Sequence, residues 1–157
     1  MKHLLLCMVL LCAVSAVSAQ TQFTATLTGD QETPPVSTPA SGTGLAILNQ
    51  AEDTLNVTLT FQDLVAPQTV AHIHGPAAPG VPASPVIDLP LGQISAMDFP
   101  ITPQEVEWLK AGLLYFNVHS ETYPNGEIRG QIIPEPSTLA LLAMGVAVAI
   151  RRRIARR

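Results

Sequence analysis

Phe23, Ala25 and Leu27 alternate with Thr24, Thr26 and Thr28, and Leu55, Val57, Leu59 and Phe61 alternate with Asn56, Thr58 and Thr60. Successive side chains of an extended chain point to opposite faces, so this alternation belongs to strands with one face in a core. Comparable runs at 44–49, 69–74, 85–89, 113–119 and 127–133 bring the total to seven. Seven short strands separated by turns predict an all-β domain, an antiparallel β-sandwich or a flattened Greek-key barrel. One helix interrupts them. Thr102 suits an N-cap, Pro103 the first helical position and Glu105 the far side of a capping box, while Gly112 is placed to end the helix. Val106 and Leu109 are expected to face the core, with Trp108 as a packing residue.

The hydrophobic pattern changes at both ends. Lys2 and His3 precede an unbroken apolar run over residues 4–14, followed by Ser15, Ala16, Val17, Ser18 and Ala19. A basic start, a short apolar stretch and small residues are the order of a secretory signal peptide, with signal peptidase expected to cut between Ala19 and Gln20. At the other end, Pro134, Glu135, Pro136 and Ser137 lead into an apolar stretch over 138–150 and then into Arg151, Arg152, Arg153, Arg156 and Arg157. Thirteen helical residues reach roughly 20 Å, short of a hydrocarbon core of about 30 Å. Such a helix can insert by thinning the bilayer, and its arginines stay on the cytoplasmic side. A hydrophobic helix is thus expected at each terminus, around a domain spanning 20–133. The segments are 1–19 as leader and 134–157 as tail.

Removing the two ends changes the electrostatics. Two cations, Lys110 and Arg129, remain against all twelve acidic residues, a net charge of −10. With no basic patch for phosphates, nucleic acid is excluded as a partner class. Cys7 and Cys12 both lie in the leader, each behind a leucine (Leu6, Leu11) where a lipoprotein site needs a small residue. The remaining domain has no thiol, so it must stand on burial and strand pairing. The prolines at 76, 79, 82 and 85 would form one stripe of a polyproline II helix. Tethered between two strands, the segment reads as a stiffened loop.

Three histidines survive processing. His72 and His74 are two apart on one run and therefore share a face, and His119 ends a later run. Two imidazoles spaced about 7 Å along a strand can share an ion if they converge, with a neighbouring strand supplying the third nitrogen. Copper and zinc accept such a set, and nitrogens within about 4 Å of one another would favour it. The alternative is structural: imidazoles that join strands by hydrogen bonds, helped by an ion-pair network between Glu127, Arg129 and a histidine.

Several of these segments together resemble a known module. Residues 23–29, Gln31-Glu32-Thr33-Pro34-Pro35, Gly42-x-Gly44-x-Ala46, Ala71-His72-Ile73-His74-Gly75, Tyr115-x-Asn117-Val118-His119-Ser120 and the closing Pro124-Asn125-Gly126-Glu127-Ile128-Arg129-Gly130-Gln131-Ile132 are similar to the CHRD domain. That module is repeated in chordin, where the role is extracellular binding, and occurs singly in many bacterial proteins. The loop after His74 departs from the usual glycine-rich version by its prolines. The Pro134-Glu135-Pro136 motif, short hydrophobic helix and terminal arginines resemble the PEP-CTERM sorting signal of Gram-negative bacteria. That likeness implies exosortase as a partner, with transient anchoring in the inner membrane and delivery to the cell surface or beyond. The His-x-His strand with a later histidine is also similar to the copper half of Cu/Zn superoxide dismutase, which implies a superoxide-dismutase-like fold alongside the immunoglobulin-like alternative. A fourth bridging histidine, a zinc half-site and a disulfide are not seen, and activity does not follow from fold.

Two functions stay open at this stage. One is a non-enzymatic extracellular module that binds polysaccharide or protein, or builds a biofilm matrix. The other is a copper or zinc protein, in its redox form a copper-dependent oxidoreductase, built on His72, His74 and His119.

Overall fold

The computed structural model describes residues 21–135; the leader, its cleavage point at Ala19 and Gln20, and the chain from Pro136 onward lie outside them. No helix among the described residues is long and apolar enough to cross a membrane. Nine strands are β1 (Thr21–Thr28), β2 (Ser41–Leu48), β3 (Thr54–Gln62), β4 (Gln68–His74), β5 (Pro85–Leu89), β6 (Ile94–Pro100), β7 (Tyr115–Ser120), β8 (Ile128–Gln131) and β9 (Ile133–Pro134). They form one antiparallel sheet in the order β5-β4-β7-β8-β1-β2-β3-β6, with β9 on β1. The sheet curls into a nearly closed barrel, and the all-β expectation is met.

Why the sheet curls is visible in its inner face. Phe23 and Leu27 of β1, Leu55, Val57 and Leu59 of β3, Ile73 of β4, Phe116 and Val118 of β7 and Ile128 of β8 are all fully buried and form one core. Each is a member of a period-two set, so pairing the strands in register puts every apolar side chain inside. At roughly 1.5–3 kcal/mol for each large apolar side chain, burial is the main favourable term in a domain with no cross-links.

Helix α1 (Pro103–Lys110) packs its apolar side into the core and lies against β9. The Thr102 hydroxyl accepts from the Glu105 amide and the Glu105 carboxylate accepts from the Thr102 amide, a complete capping box. Gly112, with φ +68°, lets Leu113 donate to the Trp108 carbonyl and Gly112 to that of Leu109, closing a Schellman motif. Val106 and Leu109 are buried and Trp108 packs against the core, as the sequence implies.

Strand β6 is absent from the sequence-derived set. It pairs with β3 at the sheet edge, and only its first residue, Ile94, is buried. An edge strand wetted on both faces has no apolar alternation to betray it, and Ala96 at φ +49° breaks its regularity. The run at 127–133 divides at Ile132 into β8 and β9, which pair with β1 at different places.

Strands β7 and β8 are buried on both faces. Their inner face meets the core, while their outer face carries polar residues that two loops cover. The 75–84 loop lends the carbonyls of Ala77, Ala78 and Ala83, and the 32–38 loop lends the hydroxyls of Thr33 and Thr38. The proline-rich segment is therefore the stiff cover that its composition implies, seated on a polar layer.

Candidate metal centre

Neighbouring strands bring the three histidines together on this covered face. His72 and His74 project from β4, and His119 comes from β7, opposite Val70 in the antiparallel register. One candidate ligand nitrogen from each lies within 4.8 Å of the other two. Ring centroids are 5.3 Å apart for His72 and His74, 5.2 Å for His72 and His119, and 5.9 Å for His74 and His119. Among the described residues these are the only three of metal-ligating type so grouped.

Hydrogen bonding fixes which nitrogens are available. His74 Nδ1 lies 2.9 Å from the Ala83 carbonyl and His119 Nδ1 3.0 Å from that of Pro124. A carbonyl only accepts, so both Nδ1 atoms carry the proton and both Nε2 atoms keep a lone pair. His74 Nε2 is buried without a hydrogen-bond partner. His72 Nε2 faces the exposed Asp88 carboxylate at 3.6 Å, beyond hydrogen-bond range, so its Nδ1 is open to a hydrogen bond of its own. That Nδ1 sits 3.4 Å from His119 Nε2. With His119 Nδ1 protonated, His72 Nδ1–H donates to the His119 Nε2 lone pair, and a metal at this place would move that proton to His72 Nε2, on the side of Asp88.

Burial keeps His74 and His119 neutral. His74 and His119 are 7% exposed, and desolvation holds both below the ordinary imidazole range, against the opposing pull of their carbonyl bonds and with a further push from neighbouring His72. Neutral imidazole is the ligand form, and a second bond from the far ring nitrogen to a carbonyl or carboxylate is how such ligands are oriented.

The donor set fits copper or zinc. Metal–nitrogen bonds of about 2.0–2.1 Å put ligand nitrogens roughly 3.3 Å apart around a tetrahedral ion, close to the His72–His119 separation. The widest separation exceeds the 4 Å criterion, so the three rings must draw together for one ion to be shared.

Other polar residues of the layer were not singled out as site residues from sequence. Tyr115 stacks on His74 at 5.1 Å and 15°, and the Arg129 guanidinium lies 3.5 Å over the other aromatic partner, the Tyr115 ring. The expected ion pairing of Glu127 and Arg129 with a histidine is not formed. Arg129 instead donates to Thr33, Ala78 and Gln131, while Glu127 accepts from the Thr38 hydroxyl at 2.6 Å and the Val65 amide at 2.9 Å. The covering loops supply each with neutral partners, so the two charges never meet. Glu32 is the carboxylate nearest in effect to Arg129, yet burial dominates and pushes it up to about 7. It packs with Asn117 against Gly126, whose φ of +126° and missing Cβ make the room. Clefts of about 440 and 410 Å³ open on either side of Glu32.

Comparison with family models gives two matches. The CHRD domain matches residues 23–132, and the PEP-CTERM protein-sorting motif matches residues 133–157. Neither curated proteins nor solved structures gave a match. The sorting motif marks the chain for export to the cell envelope and for processing by exosortase.

Proposed function

From a chain that belongs to the CHRD domain family and closes on an exosortase sorting motif, we propose a surface module, non-enzymatic, that binds copper or zinc through His72, His74 and His119. The observation that carries this reading is the buried, unpartnered Nε2 of His74, with the His72 and His119 imidazoles grouped beside it. Leaving such an acceptor unpaired costs about 1–3 kcal/mol, and an ion bound there recovers it. The ion would be held by His72, His74 and His119 once their rings draw together. The net charge of −10 left after trimming attracts cations to the domain.

The test is reconstitution of the purified mature domain with copper or zinc, dialysis and elemental analysis. One ion per chain is expected, falling to background in a His74→Gln, His119→Gln variant. A folded wild-type domain that retains no stoichiometric metal after loading removes the reading, and a structural role for the three imidazoles then stands.

A further inference from the structure

The sorting signal does not begin where the fold stops. Its first residues form β9, with Ile133 opposite Thr24 and Pro134 opposite Phe23. The Glu135 amide continues the ladder, donating to the Gln22 carbonyl at 3.1 Å. Two of the three residues of Pro134-Glu135-Pro136 are thus tied into the first strand of the domain. Little else holds them: Ile133 is 51% exposed and Pro134 is exposed as well. Pro134 has no amide to donate, which suits the outer edge of a ladder.

The same pairing places the termini together. The described chain enters at Thr21 and leaves at Glu135, joined by the Gln22 bond. The histidines belong to the other end of the strands. Thr28 opposes Arg129, Arg129 opposes Asn117 and Asn117 opposes His72, seven residues or roughly 24 Å along β1 from Thr21. The end bearing β9 is therefore the one from which the chain runs on into the sorting tail.

We propose that strand pairing with β1 withholds the sorting motif from exosortase, so that the folded domain is trimmed only when β9 peels away. A protease works on the population of the opened segment when opening and closing are fast. A ladder of two or three exposed backbone bonds opens roughly one time in ten to one in a hundred. The device therefore slows trimming without preventing it, and ties its rate to the state of β1.

The experiment uses the full-length chain, exported in a Gram-negative host that carries an exosortase, with intact mass as the readout. Thr24→Cys with Ile133→Cys bridges a directly opposed pair in a domain that has no other thiol after leader removal. The oxidised double variant is expected to be trimmed at least tenfold more slowly than wild type, recovering on reduction, while the Ile133→Cys single variant keeps the wild-type rate. Ile133→Gly, which loosens β9 without touching the core, is expected to be trimmed several-fold faster. Trimming of the cross-linked chain at the wild-type rate overturns the proposal. Hydrogen exchange needs no variant: protection of the Glu135 amide by about tenfold to a hundredfold over a free peptide is expected, and exchange at the free-peptide rate overturns it. A wild-type chain that keeps its full mass while exported overturns the gating and the sorting together.

Discussion

Glu32→Gln should make the domain more stable above neutral pH and leave it unchanged in acid. The carboxyl of Glu32 is 7% exposed, and burial raises its pKa from 4.5 to about 7 despite Arg129 and the Thr33 amide, which pull it down. The folded state therefore binds the Glu32 proton more tightly than the unfolded chain. Stability from this group is complete below pH 4.5 and declines as pH rises toward 7, where the folded carboxyl must ionise inside the layer. At about 1.4 kcal/mol per pH unit the whole interval is worth roughly 3 kcal/mol, and screening through the flanking clefts reduces that to about 2. His74 and His119 act in the opposite direction below pH 6.5, because the unfolded chain protonates them first. The wild-type profile mixes the two trends, so the informative quantity is the difference between variant and wild type. Glutamine keeps the shape and cannot ionise. Urea denaturation of the mature domain at about pH 4 and about pH 8 should show nearly coincident midpoints at the lower pH and a gain of about 2 kcal/mol for Glu32→Gln at the higher. Equal stability at pH 8 would mean that the carboxylate is solvated in the folded state, and the description of a buried layer would be refuted at its centre.

Three further outcomes follow from the same geometry. Because burial already holds His74 and His119 neutral, each with its Nδ1 proton on a carbonyl, zinc binding at pH 7 should release less than about half a proton per ion; calorimetry in buffers of different ionisation enthalpy measures this, and release of one proton or more contradicts the tautomers assigned to these two residues. Gly44→Ala puts a methyl 2.4 Å from Cε2 of the fully buried Phe116, an overpacking expected to cost about 1–3 kcal/mol and to lower Tm by at least several degrees. Thr102→Ala removes one arm of the capping box and should cost about 1 kcal/mol in denaturant without altering metal stoichiometry, since the hydrogen-bond and ring partners of the three histidines all lie outside α1.

The inner face of the barrel was legible from the sequence because it obeys a strict period. Phe23, Ala25 and Leu27 are buried and Leu55, Val57 and Leu59 are too, as their alternation with threonine and asparagine requires. The same period placed His72 and His74 on one face, and two residues were enough to read it. What escaped depends on features that alternation does not encode. Asp88 meets His72 only through the β4–β5 register, and the carbonyls of Ala83 and Pro124, which set the tautomers, are main-chain groups that every residue possesses. Strand β6 escaped because solvent on both sides removes the pressure for a pattern. Glu127 and Arg129, expected as a partly buried ion-pair network with a histidine, are instead fully buried on neutral partners, because a spacing of two residues says nothing about loops that arrive from fifty to a hundred residues away.

Those loops turn an outer face that ought to be wet into a buried one, and the polar atoms left without partners there share one character. His74 Nε2, Glu32 Oε1, Asn117 Oδ1 and Glu127 Oε2 are all acceptors, whereas the unpaired donor among the described residues, Gln68 Nε2, lies at the start of β4. Each buried acceptor without a donor costs about 1–3 kcal/mol, a large fraction of the stability of a domain that has no disulfide to lean on. Positive charge is what such a layer lacks, since Arg129 is already committed to Thr33, Ala78, Gln131 and the Tyr115 ring. Glu32 answers by holding a proton up to about pH 7. His74 cannot answer in that way, because burial lowers its proton affinity while Ala83 already takes its one N–H. A cation shared with His72 and His119 would meet the same need without ionising the imidazole, which is the physical argument for the proposed metal at the histidine corner of this layer and not at the Glu32 corner.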